Sequence, residues 1–195
     1  MGKIFYLMGK SASGKDTLYS MILGSGLDLR EVILYTTRPM RDGEEEGREY
    51  HFIDEQRFEE LRSTDKLIEY REYNTVHGIW RYMTVDDGQI DLSKNSYLMI
   101  GTLESYEKTR QYYGSENLLP IYVAVDDGIR LERALKREKK QKNPKYAEMC
   151  RRYLADEADF APENLKRLDV NTEFRNDDDI EICAENIKAF IAERL

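Results

Sequence analysis

The chain has 195 residues, 41% hydrophobic and 35% charged, with a formal net charge of −8. That length suits one domain with a real core and small insertions, and the acidic balance argues against a duplex nucleic-acid binder. Cys150 and Cys183 have no metal-like spacing and read as reduced thiols of a cytosolic protein, and the first apolar run is too short for a membrane span or a signal peptide.

Residues 4–8 form the first apolar run suited to a buried strand, followed by a glycine-lysine loop and an amphipathic helix over 17–23. A second apolar run covers 32–35. Residues 36–94 read differently, with a charged loop at 41–48, strand-like pieces at 50–53 and 67–73, and a helix between them. Strand patterns then return at 97–100, 121–125 and, weakly, 168–170. Helical patterns cover 103–113, 129–137, 146–158 and 180–194, the last with Ile180, Ile187, Phe190 and Ile191 near one face. Buried strands alternating with helices imply an α/β fold whose parallel sheet is covered on both sides. The expected organisation is a core of 1–35 and 95–195 carrying a small mixed α/β insertion at 36–94. The basic run KREKKQKNPK, 136–145, reads as a hinge or lid (about 136–150) or as a solvated helix end.

The loop from Gly9 through Lys10, Ser11, Ala12, Ser13 and Gly14 to Lys15 has the spacing of a phosphate-binding P-loop. Backbone N–H groups of Ser11 to Lys15 can surround phosphate oxygens, the following helix presents its positive end, and Lys15 adds a point charge for the transferring phosphate. Asp16 stands where a hydroxyl usually helps hold magnesium. Its carboxylate is a hard oxygen ligand for Mg²⁺, directly or through water, and also a favourable first-turn residue. Thr17 supplies a hydroxyl one position later, so ATP with Mg²⁺ is the expected co-substrate.

YTTRPMRDGEEEGREYHF, residues 35–52, resembles the signature of guanylate kinases, which phosphorylate GMP with ATP. LIEY at 67–70, RALKR at 133–137, CRRYLADEA at 150–158 and DVN at 169–171 resemble further segments of that family, the last its late strand ending in asparagine. The resemblance implies a P-loop kinase fold with an inserted acceptor-binding part and a short lid. It implies that Arg38, Arg41 and Tyr50 hold the acceptor's phosphate, and that Arg133, Arg137 and Arg152 close over the phosphates with Lys15. It makes Glu69 the acceptor of guanine's N–H groups, and places His77 and Thr102 at acceptor-binding positions.

Leu34, Ile79 and Thr102 depart from the family's serine, hydroxyl and aspartate. The implied reaction is transfer of the ATP γ-phosphate to GMP or dGMP, in the cytoplasm, with no nucleic-acid polymer, membrane or protein partner indicated. Two other readings share these motifs: a kinase of the same build with a different acceptor, and a non-catalytic binding module. The intact Gly9–Gly14–Lys15 spacing argues against the module.

Overall fold

The computed structural model describes residues 1–75 and 78–195. The chain opens with β1 (Ile4–Met8), α1 (Lys15–Leu23) and the short strand β2 (Leu29–Glu31). It then builds β3 (Tyr35–Thr36), β4 (His51–Phe52), α2 (Glu55–Ser63), β5 (Leu67–Thr75) and β6 (Gly78–Val85). From β7 (Ser96–Gly101) it continues through α3 (Leu103–Tyr113), β8 (Leu118–Ala124), α4 (Asp127–Lys139) and α5 (Tyr146–Asp159). It ends with α6 (Pro162–Arg167), β9 (Glu173–Arg175) and α7 (Ile180–Ala192).

The core sheet has the order β2-β7-β1-β8-β9, and every neighbouring pair is parallel. Side chains alternate across it. Ile4, Tyr6 and Met8 enter an apolar layer with Tyr97, Met99, Leu103, Tyr106, Tyr122 and Phe160. Phe5 and Leu7 enter the opposite layer with Leu18, Ile22, Phe174, Ile187 and Ile191 from α1, β9 and α7. Burial on both faces is why β1, β7 and β8 read as nearly continuous apolar runs.

The second sheet has the order β4-β3-β6-β5, with β6 antiparallel to both neighbours. Helix α2, capped by the Asp54 carboxylate on the Arg57 N–H, packs Phe58 and Leu61 against Met83 and Val85 on one face. Strand alternation puts Glu69 and Arg71 of β5, paired with Thr84 and Tyr82 of β6, on the other face. The chain enters and leaves this sheet side by side: Ile33 N–H donates to Gln89 Oε1 at 2.7 Å, and Gln89 Nε2 returns a bond to Ile33 O at 3.1 Å.

Two expected strands fall elsewhere. Instead of one strand over 32–35, β2 ends at Glu31 in the core sheet and β3 begins at Tyr35 in the second. The apolar residues between them pack as a link, Val32 buried and Leu34 partly so. Residues 168–170 form a turn after α6, with Asp169 at φ 55°. There Leu168 and Val170 plug the core without sheet pairing, and the strand is β9. Of the basic run, 136–139 form the last turn of α4, and α5 begins at Tyr146. Buried Glu138 accepts from the Lys145 N–H and so ties the two ends of the link between them.

Candidate active site

The glycine-lysine loop runs from the end of β1 to the start of α1. A Cβ on Gly9 would lie 2.7 Å from the Val123 carbonyl oxygen and 2.8 Å from Ser13 Oγ, so only glycine lets the loop leave the sheet there. Ala12 and Gly14 adopt φ of 65° and 85°, which curls the loop backbone back on itself. Asn176, just beyond β9, fixes the turn by donating from Nδ2 to Ser13 O at 2.8 Å. Because α1 starts at Lys15, its first-turn N–H groups have no acceptor within the helix and face the loop's concavity. Such a terminus attracts anions. Lys15 Nζ stands 3.6 Å from the Asp16 carboxylate, which is 83% exposed, and Thr17 is exposed beside it.

The outer rim of the loop is clamped by α4 and α5. Ser11 N–H donates to Asp156 Oδ2 at 2.7 Å, and Lys10 Nζ meets Glu157 at 2.7 Å and Asp127 at 3.4 Å. Behind them the fully buried Arg130 pairs with Asp127, Asp156 and Glu157 and lies 3.9 Å over the Tyr153 ring. Burial alone would lower the Lys10 pKa, but the Glu157 and Asp127 carboxylates outweigh it and hold the ammonium above its usual value. Asp127 is held below the usual carboxylate range by Lys10 and Arg130, against the opposing effect of its burial.

On the second sheet, the buried Arg38 is gripped by Glu44 through Nη1 and Nη2, at 3.0 and 2.8 Å, and lies 5.6 Å from the Tyr50 and Phe52 rings. Tyr50 packs edge-on against Tyr82, and Tyr82 against Tyr73. Burial raises the Tyr50 phenol above its ordinary pKa, reinforced by Tyr82 and by the distant Asp16 carboxylate. Asp16 and Tyr50 therefore lie within electrostatic reach across the space between loop and sheet. Further along the same face, the side chain of Glu69 is fully buried, accepts from Thr84 Oγ1 at 2.9 Å, and pairs with Arg71 at 3.2 Å. Both charges act on Tyr6 of β1, whose hydroxyl donates to Ser105 Oγ at the start of α3.

The loop residues Gly9 to Thr17 thus form one group, and Arg38, Tyr50 and Glu69 share one sheet face. Arg41 is exposed, with its N–H on Glu44. Arg133 donates to the carbonyls of Asn176 and Asp177 at 2.7 and 2.9 Å, bracing the segment that supports the loop. Arg137 is exposed, as is Arg152, which lies 3.8 Å from Glu148. Thr102 caps α3 by accepting from the Ser105 N–H, so its hydroxyl already has a structural task. Leu34 is partly buried and Ile79 exposed. His77 lies outside the described residues.

No group of three or more His, Cys, Asp or Glu side chains that could hold a metal occurs among the described residues. The single exposed carboxylate of Asp16 at the loop's mouth suits an ion such as Mg²⁺, which keeps several waters and takes other ligands from phosphate. Among the described residues, no helix is long and apolar enough to cross a membrane.

A family model described as guanylate kinase matches residues 1–82. Guanylate kinase from Anaplasma phagocytophilum superposes with a TM-score of 0.66 at 21% identity, covering 99% of this chain and 86% of that one. The likeness is to guanylate kinases, over residues 1–82 in sequence and over 99% of the chain in fold. Guanylate kinase from Neisseria gonorrhoeae is 39% identical over 71 residues, 36% of this chain and 35% of that protein. That from Bradyrhizobium diazoefficiens is 42% identical over 69 residues, 35% of this chain and 32% of that protein. The aligned part of the chain therefore spans about a third of the length of these curated relatives. The architecture is the P-loop kinase fold seen in the Anaplasma phagocytophilum enzyme.

One correspondence expected from the resemblance moves. The asparagine that follows the last core strand is Asn176, after β9, and not Asn171 of the DVN segment, which lies outside the sheet. Sequence reading also passed over Arg130, Asp156 and Glu157, whose roles arise only when α4 and α5 pack beside the loop. It passed over Arg71 as well. A charged residue two places after Glu69 in a strand was the available signal, since period-two spacing sets both on one face.

Proposed function

We propose that this chain is a nucleoside monophosphate kinase that transfers the γ-phosphate of ATP to GMP or dGMP. The observation that carries the reading is that the Asp16 carboxylate, next to Lys15 at the start of α1, acts on the Tyr50 hydroxyl, which lies beside Arg38 on the second sheet. Phosphoryl transfer asks for positioning and charge neutralisation more than covalent chemistry. The loop's N–H groups and Lys15 would hold the donor's phosphates. Arg38, with its fork on Glu44, and the neutral Tyr50 phenol would orient the acceptor's phosphate. Asp16 would supply an oxygen ligand for Mg²⁺, which when bound offsets phosphate charge. Ser11 N–H becomes available to phosphate when the Asp156 carboxylate releases it.

The test is ADP release in a coupled assay with ATP, Mg²⁺ and a panel of nucleoside monophosphates. Release driven by GMP or dGMP above AMP, CMP and UMP is the expected result. Turnover with AMP or a pyrimidine monophosphate while GMP is inert would assign the same build to another acceptor. Nucleotide binding with no turnover on any acceptor would make it a binding module.

A further inference from the structure

We infer that the Asp156 carboxylate is an internal occupant of the phosphate-binding loop: it holds the Ser11 N–H in the free protein, and the phosphates of an incoming nucleotide must displace it. Helix α5 thereby carries a brake on donor binding. The inference rests on the proposed reading of the loop as the donor's phosphate site and deepens it. Ser11 N–H donates to Asp156 Oδ2 at 2.7 Å, across 145 positions of sequence. That is the length of a charge-assisted bond, and the carboxylate oxygen makes the bond that a phosphate oxygen would make there.

The surroundings leave Asp156 as the carboxylate that the loop can give up. Asp127, Asp156 and Glu157 face two cations, Lys10 and Arg130. Glu157 pairs closely with both, and Asp127 reaches them at 3.4 and 3.3 Å. Two carboxylates therefore answer two cations, and the surplus negative charge falls to Asp156. Its Oδ2 stands 3.5 Å from Arg130 Nη1, a longer contact than its bond to Ser11. A phosphate chain arriving at the loop meets this charge twice, as a competitor for the N–H and as a like charge at short range. The carboxylate has somewhere to go. Arg130 Nη1 also donates to Ser11 O at 3.4 Å, so the guanidinium sits beside the bond that breaks. A small withdrawal toward Arg130 keeps Asp156 paired, and its side chain is 18% exposed, so water completes its shell. A tie that served structure alone would need no charge, because the amide oxygen of an asparagine also accepts from an N–H.

The experiment is calorimetric titration of the full chain with MgATP and with magnesium tripolyphosphate, which carries phosphates without a base. Asp156→Asn keeps an acceptor and the side-chain shape but removes the charge. It should bind both ligands about fivefold more tightly than wild type, the scale separating a hydrogen bond to a charged group from a neutral one. Asp159→Asn makes the same charge change on the same helix, at an exposed residue with no bond to the loop among the described residues. It should stay within about twofold of wild type, as exposed charges do. In Asp156→Ala, hydrogen exchange at the Ser11 amide should be fast in the free protein and slow under saturating MgATP, because phosphate takes the vacant N–H. The inference is overturned if Asp156→Asn tightens neither ligand, or if Asp159→Asn tightens them as much. It is overturned equally if the Ser11 amide of Asp156→Ala stays unprotected with MgATP bound. Should that happen while wild type phosphorylates GMP, the kinase reading stands alone. Tighter binding by Asp156→Asn with no ADP released on any acceptor would keep the brake and remove the kinase reading.

Discussion

The side-chain amide of Asn176 occupies the space that a Cβ on residue 14 would need: Nδ2 would lie 2.6 Å from it, while donating to Ser13 O at 2.8 Å. Gly14 also sits at φ 85°. Asn176→Ala should cost about 1–3 kcal/mol, because it leaves a buried carbonyl unsatisfied. Gly14→Ala should cost a further 1–2 kcal/mol or so from the left-handed backbone, plus the clash. In the double variant the clash disappears, so the combined loss should be smaller than the sum. Urea unfolding midpoints of the four proteins measure this, and strict additivity would separate the two residues.

Lys15→Ala should lower phosphoryl transfer by at least about a hundredfold, the usual scale for losing a preorganised charge at a reacting phosphate. The fold should survive, since among the described residues the ammonium's ion-pair partner is the exposed Asp16 carboxylate alone. Turnover near wild type in the folded variant would remove Lys15 from the chemistry.

Asp16→Ala should raise the Mg²⁺ concentration giving half-maximal rate, and Asp16→Ser should shift it less, because serine restores an oxygen ligand and alanine offers none. One magnesium curve for all three proteins would leave Asp16 as a helix-end residue alone.

Acid should loosen the loop over 41–52 before it unfolds the core. The Glu44 carboxyl is held below its ordinary 4.5 chiefly by hydrogen bonds from Arg38, and Glu46 below the same value chiefly by the Phe52 N–H. Groups depressed on folding stabilise fully above their ordinary pKa and lose that contribution as pH falls through the folded value. Hydrogen exchange at the Arg41 and Phe52 amides, corrected for intrinsic rate, should therefore accelerate between about pH 5 and pH 3. Unchanged protection across that range would contradict the assignment of these carboxylates as anchors.

Much of the core was legible because β1, β7 and β8 are buried on both faces and write that burial as apolar runs. The edges were not. β2 and β9 are three residues each, and their charged members, Arg30, Glu31, Glu173 and Arg175, face solvent, so they carry no strand signal. The P-loop was legible from spacing because its backbone geometry demands glycines at fixed positions. Its supports were not: Asn176, Arg130 and Asp156 lie 163, 119 and 145 positions from the loop residues they touch. Glu69 could be named from its segment, whereas its partnership with Arg71 depends on which strand face meets Tyr6.

The paired bonds between Ile33 and Gln89, 56 positions apart, act as a clasp on a round trip. Everything between them departs from and returns to one spot on the edge of the parallel sheet. Lengthening or shortening such an excursion changes its closure entropy by only about 0.6 kcal/mol per doubling. The surface that would meet the acceptor base is thus carried on an excursion of chain whose length is cheap to change, docked on the core through the Lys108 ammonium and the Tyr70 carbonyl.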